Sequence, residues 1–467
     1  MEGITIKDIV AVTDGVLLCG DENKEIKEFS IDSRQGNLDS IFVPIIGERV
    51  DAHRFIEGAL AINGATFTME HDEPLAGCED KPWIRVKDTV KAMQQVGTYY
   101  RRQLDLPVVA VTGSVGKTTT REMIACALSA GKNVFQTLGN QNSQVGVPLT
   151  LSHMTKDHEA AVLEIGMSER GQIAILTDMI RPNIAVVTLI GVSHIAQLGS
   201  QENICIEKMD ITLGLPEDGL VFLNGDDPFL APYKGKLDKR VFLYGMAPDC
   251  DYRAEDIGTE NGKTSFVFVY EDGRLPVTLS TMGDHNVRNA LAALGVCHQM
   301  GVDLVAAARK LSEFKGQRQN VIRTDRCILI DDTYNASPDS MKAAIKVLAT
   351  IDAPEVAKDQ GQAGRRIAGL SDMLELGENE KDYHYQVGAF IAGQPVDLLA
   401  AYGELSKEII RGVKENAGDR DITCVWFETR EELSDYLLAQ VKPEDVLLLK
   451  GSNGMKLKEI SERIQNL

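Results

Sequence analysis

The stretch VVAVTGSVGKTTTREM, residues 108–123, places two glycines, a lysine and three threonines between Gly113 and Thr120. Residues of these types at this spacing can cradle phosphate. Gly113 and Gly116 permit backbone turns that aim successive N–H groups inward, and a helix N-terminus directly after them adds positive potential. Lys117 can reach the outer phosphates of a nucleoside triphosphate, and the Thr118 hydroxyl can ligate magnesium. Ser114, Val115 and Thr119 complete the loop. The usual motif sets four residues between its first glycine and Gly-Lys-Ser/Thr, and Val111 stands in that first place here. The plainer alternative is a strand–helix turn with a surface lysine. Context favours phosphate: PVVAV before the loop reads as a buried strand, and TTREMIACALSAG has a helical apolar period ended by Gly131.

The elements that must position these groups repeat one theme, an apolar run, then a turn of small or polar residues, then a helical period. The runs PVVAV (107–111), AAVLEIG (160–166), IAVVTLIG (184–191) and LVFLNGDD (220–227) form a first series. CILIDD (327–332), RRIAGLSD (365–372), VDLLAAYG (396–403), TCVWF (423–427) and DVLLLKGS (445–452) form a second. Continuous Val/Ile/Leu runs alternating with helices predict parallel sheets covered on both faces. In doubly wound sheets, ligands sit beyond the carboxyl ends of the strands. The residues there are TGSVGKTTT, Glu164, Ser193–His194, Asp331–Asp332, Asp372 and Lys450–Gly451–Ser452.

The predicted class is α/β with three domains, at 1–85, 86–315 and 316–467, a count that length alone also suggests. The first has short strands, turns and a helix over HRFIEGALAINGA (53–65), and a linker helix follows over 88–104. A hairpin is expected at 265–280 before the helix NVRNALAALGVCHQMG, and an exposed Gly/Gln-rich loop at 353–366.

Hydrophobic content of 43% and charged content of 25% are those of a soluble globular protein. A formal charge of −20 argues against a nucleic-acid partner, and it requires any anionic substrate to be held by local cationic groups. The eight cysteines include no Cys-x-x-Cys pair, which argues against a zinc site and fits a reducing cytoplasm. No apolar stretch approaches the ~20 residues that span a bilayer, so no membrane insertion is expected. Asp14 interrupts the apolar N-terminal run, which also lacks a basic start, so no signal peptide is expected. A cytoplasmic monomer is the expectation.

The shortened loop Thr-Gly-Ser-x-Gly-Lys-Thr-Thr resembles that of the Mur ligases, ATP-dependent amide-forming enzymes of cell-wall synthesis. GNQNSQVGVPLTL (139–151) is similar to that family's Asn-rich substrate loop, and AVLEIGMSERGQI (161–173) to its metal-binding glutamate segment. GVSHIAQLGSQENICIEKMDI (191–211) carries a histidine and a lysine at the family's spacing. GDHNVRNALAA (283–293) and LIDDTYNASPDSMKAA (329–344) resemble the segments that hold adenine and ribose. DDTYNASP and SDMLELGENEKDYH (371–384) resemble the branch that adds D-alanyl-D-alanine to a UDP-N-acetylmuramoyl tripeptide. FSIDSRQGNLDSIFVPIIGERVDAHRF (29–55) resembles a UDP-binding domain.

The resemblance implies a small UDP-binding domain, a central ATP-binding domain and a C-terminal Rossmann-like domain. It implies activation of the tripeptide carboxylate as an acyl phosphate, with ATP and Mg²⁺ required. Lys117, Glu164, His194 and Lys208 are then the catalytic set. Thr118, Glu164, His194 and a carbamylated Lys208 are the implied metal ligands. Asn286, Asn289, Arg318, Asp332 and Asn335 would contact ATP, and Ser33, Arg34, Asn140 and Asn142 the UDP substrate. Tyr334 and Asp372 would lie near the dipeptide or nucleotide. Asn453 replaces the arginine expected after Lys450-Gly451-Ser452, so those residues receive no role. Alternatives are a sister ligase that adds glutamate, as in folate polyglutamation, and a nucleotide-binding regulator. The third residue of the tripeptide, lysine or diaminopimelate, stays open.

Overall fold

The computed structural model of the chain describes residues 1–260, 262–316, 320–351 and 364–466. Arg318 and most of the expected loop at 353–366 lie outside the described residues. Three sheets organise the chain, of five, nine and six strands. Two compact units are formed, one from residues 1–112, 131–186 and 209–221, the other from 113–130, 187–208 and 222–467.

In the first unit, the five-stranded sheet runs Val16–Cys19, Trp83–Arg85, Ala65–Thr68, Ser40–Phe42, Glu28–Ser30. Its first pair is antiparallel and the rest are parallel. Phe42, Ile56, Ala59, Leu60 and Trp83 form its core. The helix expected over 53–65 is shorter and divided, a 3-10 turn at Ala52–Phe55 followed by Ile56–Leu60. Asp51 starts the turn by accepting the His53 N–H at 2.9 Å, so the entry is set by a side chain rather than by apolar period. The linker helix is Thr89–Arg101, with Asp88 as its N-cap accepting from the Lys91 N–H. Strands Val134–Gln136, Ala160–Glu164 and Val108–Thr112 lie side by side and parallel. Every residue of the last two is buried. Each such aliphatic side chain contributes about 1.5–3 kcal/mol, and together they fix the strand end from which the loop departs.

In the second unit, helix Lys117–Leu128 packs on Asp284–Gln299. The predicted hairpin is present as the antiparallel pair Lys263–Tyr270 and Gly273–Leu279. The six-stranded sheet has the order Asn320–Arg323, Ile328–Asp332, Val446–Lys450, Arg366–Ser371, Leu398–Tyr402, Thr423–Phe427. Only its first strand is antiparallel to its neighbour. Side chains alternate between faces: Ile328, Ile330, Val446, Leu448, Ala368 and Leu370 enter one apolar cluster. Leu329, Leu447, Leu449 and Ile367 enter the other. Both faces are covered, which is why these strands read as continuous apolar runs. Val446–Lys450 is inserted between two strands that precede it in the chain. The register pairs Lys450 with Asp332 on one side and with Leu370 on the other, so three strand ends come together.

Candidate active site

The loop of the second unit is built on glycines that no other residue can replace without strain. Gly113 has φ 149°, and a Cβ there would stand 1.9 Å from the Thr188 hydroxyl oxygen. Gly116, at φ 88°, opens the helix that begins with Lys117. Thr188 donates its hydroxyl to the Val115 carbonyl at 2.6 Å, and the Ser114 N–H donates to the Leu189 carbonyl at 2.7 Å. The loop is thereby held from the segment that follows strand Ile184–Val187. Lys117 folds back on the loop, its Nζ donating to the Gly113 carbonyl at 2.9 Å. Thr118 is buried in the first helical turn. The Thr120 hydroxyl donates to Asn289 Oδ1 at 2.9 Å, and Asn286 Nδ2 donates to the Met282 carbonyl. Both asparagines are buried and thus sit behind the loop, on the helix that packs against it.

His194 and Lys208 belong to the same unit. His194 holds φ 64°, a left-handed conformation uncommon for a residue with a Cβ. Its Nδ1 is 3.1 Å from a carboxylate oxygen of Glu375, a residue at φ 65°. Burial lowers the imidazole pKa, and the charges of Lys208 and Lys117 lower it further. Lys208 is fully buried, and its pKa lies well below the usual lysine range, from burial first and then from the Lys117 charge. Lys117, His194 and Lys208 are therefore electrostatic neighbours.

At the strand ends of the six-stranded sheet, Asp332 and Lys450 form a buried ion pair at 2.8 Å. Lys450 also donates to the Asn335 carbonyl at 2.7 Å. Asp331, the other half of the pair, accepts from the Thr333 and Ser461 hydroxyls and is structural. Asp372 departs from expectation. Its carboxylate accepts the Ser406 and Leu405 N–H groups at the start of helix Ser406–Asn416, so it serves that helix end. Burial raises its pKa. The residues just after it, Leu374, Glu375 and Leu376, line a cavity of about 250 Å³ with Ser193, His194 and Tyr334. Asn335, Ser452 and Asn453 complete that wall.

In the first unit, Asn142 Nδ2 donates to Glu164 Oε1 at 2.6 Å. Glu164 is buried, and its own N–H donates to the Thr137 hydroxyl. Gly166 keeps Asn142 close, since a Cβ there would press on the amide at 3.3 Å. Asn140 is exposed, and its carbonyl accepts the Asn142 N–H. Arg34 is exposed and gives its guanidinium fork to Asp32, at 2.9 and 2.8 Å. That fork holds the Asp32 carboxyl down at about 2, so a diphosphate would have to displace an aspartate from Arg34. Ser33 is partly buried beside it.

Three residues that shape the site carried no role in the sequence. Thr188 follows a strand as a lone threonine, Lys450 sits in a turn with an unexpected Asn453, and Glu375 is one of four carboxylates in LELGENEKD. Each is significant only through what it touches.

The fold and the loop define a doubly wound α/β nucleotide-binding protein. Residues 111–297 match the Mur ligase middle domain, and residues 317–453 match the Mur ligase glutamate ligase domain. The chain belongs to the Mur ligase family. It is 35% identical to the UDP-N-acetylmuramoyl-tripeptide–D-alanyl-D-alanine ligase of Bacillus subtilis (strain 168), over 98% of this chain and 97% of that one. Among solved structures, it resembles MurF from Acinetobacter baumannii with a TM-score of 0.87 at 28% identity, all of both chains being covered. MurF ligase from Thermotoga maritima in complex with ADP gives a TM-score of 0.79 at 26% identity, over 94% of this chain and 97% of that one. Among the described residues, no helix is long and apolar enough to cross a membrane.

Proposed function

We infer that this chain is an ATP-dependent ligase that joins D-alanyl-D-alanine to the carboxylate of a UDP-N-acetylmuramoyl tripeptide in the cytoplasm. The observation that carries this reading is the full-length match, in order, to ligases of that name. A carboxylate does not condense with an amine in water unaided. The tripeptide carboxylate attacks the γ-phosphorus of ATP; an O–P bond forms, the bond to the β-phosphate oxygen breaks, and ADP leaves. The dipeptide amine then attacks the acyl carbon. A C–N bond forms, the C–O bond to phosphate breaks, and the amine loses its proton. The first step brings two anions together, so preorganised positive charge supplies most of the acceleration.

The chain's own residues take the following parts. Lys117 leaves the Gly113 carbonyl for the outer phosphates, and the loop N–H groups hold the rest. Asn286 and Asn289 border the adenine side, and Asp332 takes the ribose hydroxyls. Asn335 stands with Asp332 because Lys450 holds both. Arg318, which lies outside the described residues, is a further proposed nucleotide contact. Asn140 and Asn142 face the UDP substrate, together with Ser33 and Arg34. These parts fall in a UDP-binding domain over 1–85, an ATP-binding domain over 86–315 and a C-terminal domain over 316–467.

Magnesium suits the types of donor proposed for it. Glu164 and Thr118 offer the hard oxygens that the ion prefers, and burial favours a neutral imidazole at His194. Unmodified Lys208 offers no oxygen. Its burial, however, favours the neutral amine, which can react with carbon dioxide: an N–C bond forms, one proton leaves, and the product is an oxygen-bearing anion. When bound, Mg²⁺ would neutralise phosphate charge.

The test is phosphate release from ATP with UDP-muramoyl tripeptides ending in lysine or diaminopimelate. Release that depends on D-alanyl-D-alanine is expected. Release that depends on glutamate instead, or ATP bound without turnover, would overturn the reading.

A further inference from the structure

The cavity of about 250 Å³ is formed where four strands end. Ser193–His194 follow Ile184–Val187, Tyr334–Asn335 follow Ile328–Asp332, Glu375 follows Arg366–Ser371, and Ser452–Asn453 follow Val446–Lys450. Positions beyond carboxyl strand ends are where doubly wound folds bind ligands.

The polarity of the wall is one-sided. Ser193, Tyr334, Asn335, Ser452 and Asn453 are neutral donors and acceptors, and Glu375 is the one acidic side chain in the lining, which holds no lysine or arginine. A wall with one negative charge attracts a cation and repels phosphate. The Glu375 side chain is 58% exposed and meets His194 through one oxygen only. A carboxylate accepts about four hydrogen bonds, so it retains capacity for an ammonium group. Both Glu375 and His194 hold left-handed backbone conformations, at φ 65° and 64°. Such conformations cost energy and persist where the surroundings over-determine them, which is commonly at functional sites. Here two of them meet at 3.1 Å on the wall of one cavity.

We propose that Glu375 receives the α-ammonium of the incoming D-alanyl-D-alanine, with the neutral wall holding the remainder of the dipeptide. This rests on the ligase reading above and deepens it. The dipeptide is the substrate whose nitrogen must reach the activated carboxylate, arriving as an ammonium and giving up a proton to become the attacking amine. Glu375 brings it beside His194, which already senses Lys117 and Lys208.

The test is Glu375→Gln, which keeps size and removes charge. Steady-state kinetics and binding of an unhydrolysable ATP analogue and of UDP-tripeptide are measured on the whole chain, with Glu375→Asp alongside. The expected result is a 10- to 100-fold rise in KM for the dipeptide in the Gln variant, partly recovered by Asp, with both other affinities within about two-fold of wild type. Inhibition by N-acetyl-D-alanyl-D-alanine, which lacks the ammonium, is expected to be equal in wild type and Gln variant. An unchanged dipeptide KM, or a loss that falls on UDP-tripeptide or ATP analogue binding instead, overturns the proposal. Absence of dipeptide-dependent turnover in the wild type would instead overturn the ligase reading.

Discussion

Lys450 offers the sharpest quantitative test of how the strand ends are held. Its ammonium is buried against Asp332 and also serves the Asn335 carbonyl. Lys450→Met keeps the chain length of the side chain and removes the charge, leaving the Asp332 carboxylate buried without its cation. Breaking a buried pair from one side costs about 3–5 kcal/mol. Protonation of the carboxylate sets a ceiling. A carboxyl of ordinary pKa, ~3.9, costs about 4 kcal/mol to protonate at pH 7 and about 1.5 kcal/mol at pH 5. Asn335 is an exposed residue whose carbonyl is only partly buried, so it can rehydrate and adds little. The expected loss is therefore roughly 3–4 kcal/mol at pH 7, or a Tm lower by roughly 6–12 °C, and less than half of that at pH 5. The double variant Lys450→Met/Asp332→Asn buries no lone charge and should recover most of the loss. Scanning calorimetry of the single and double variants at both pH values measures all of this. A drop below about 1 kcal/mol at pH 7, a drop equal at the two pH values, or a double variant as unstable as the sum of the singles would refute the argument.

Lys117→Ala should leave the melting temperature near that of wild type and lower turnover by roughly 10²–10³, the usual effect of removing one preorganised donor; a rate within a few-fold of wild type, read by phosphate release, would remove Lys117 from the phosphate site. Lys208→Ala should lose activity and regain part of it with acetate or another small carboxylic acid, which can occupy the position of a carbamate oxygen. Full activity of the unsupplemented variant, or no recovery at any acid concentration, would end the carbamate assignment.

The alternation of apolar positions was legible in the sequence because it expresses a physical constraint. Leu447 and Leu449 face one way and Val446 and Leu448 the other, so a strand covered on both faces has to be apolar throughout. The loop was legible for a similar reason, since Gly113 and Gly116 meet backbone demands that few residues satisfy. Choices between neighbours were not. Asp331 and Asp332 are chemically alike, and only the register opposite Lys450 separates the ligand candidate from the structural residue. Asp372 and Glu375 lie three apart in one segment, yet the first turns to a helix end and the second to the cavity. Nor does the sequence show that the guanidinium of Arg34, a proposed diphosphate contact, is paired with Asp32 two residues earlier. Such outcomes depend on tertiary partners that a linear pattern does not contain.

Charge explains why an acidic chain can run this chemistry with so few cations. Of the lysines near the site, Lys450 is neutralised by Asp332, and burial disfavours the charge on Lys208. Lys117 donates to the Gly113 and Ser114 carbonyls. Conversion of Lys208 to a carbamate would add a negative charge, which is the wrong sign for phosphate and the right sign for a divalent cation. The net charge of −20 then has a use. It draws in cations, the proposed oxygen ligands retain them, and these bring the phosphates in turn. The helix N-terminus and loop N–H groups supply only partial charges. On this reasoning nucleotide binding depends on the divalent ion more steeply than in a basic protein, where side chains alone would hold the triphosphate.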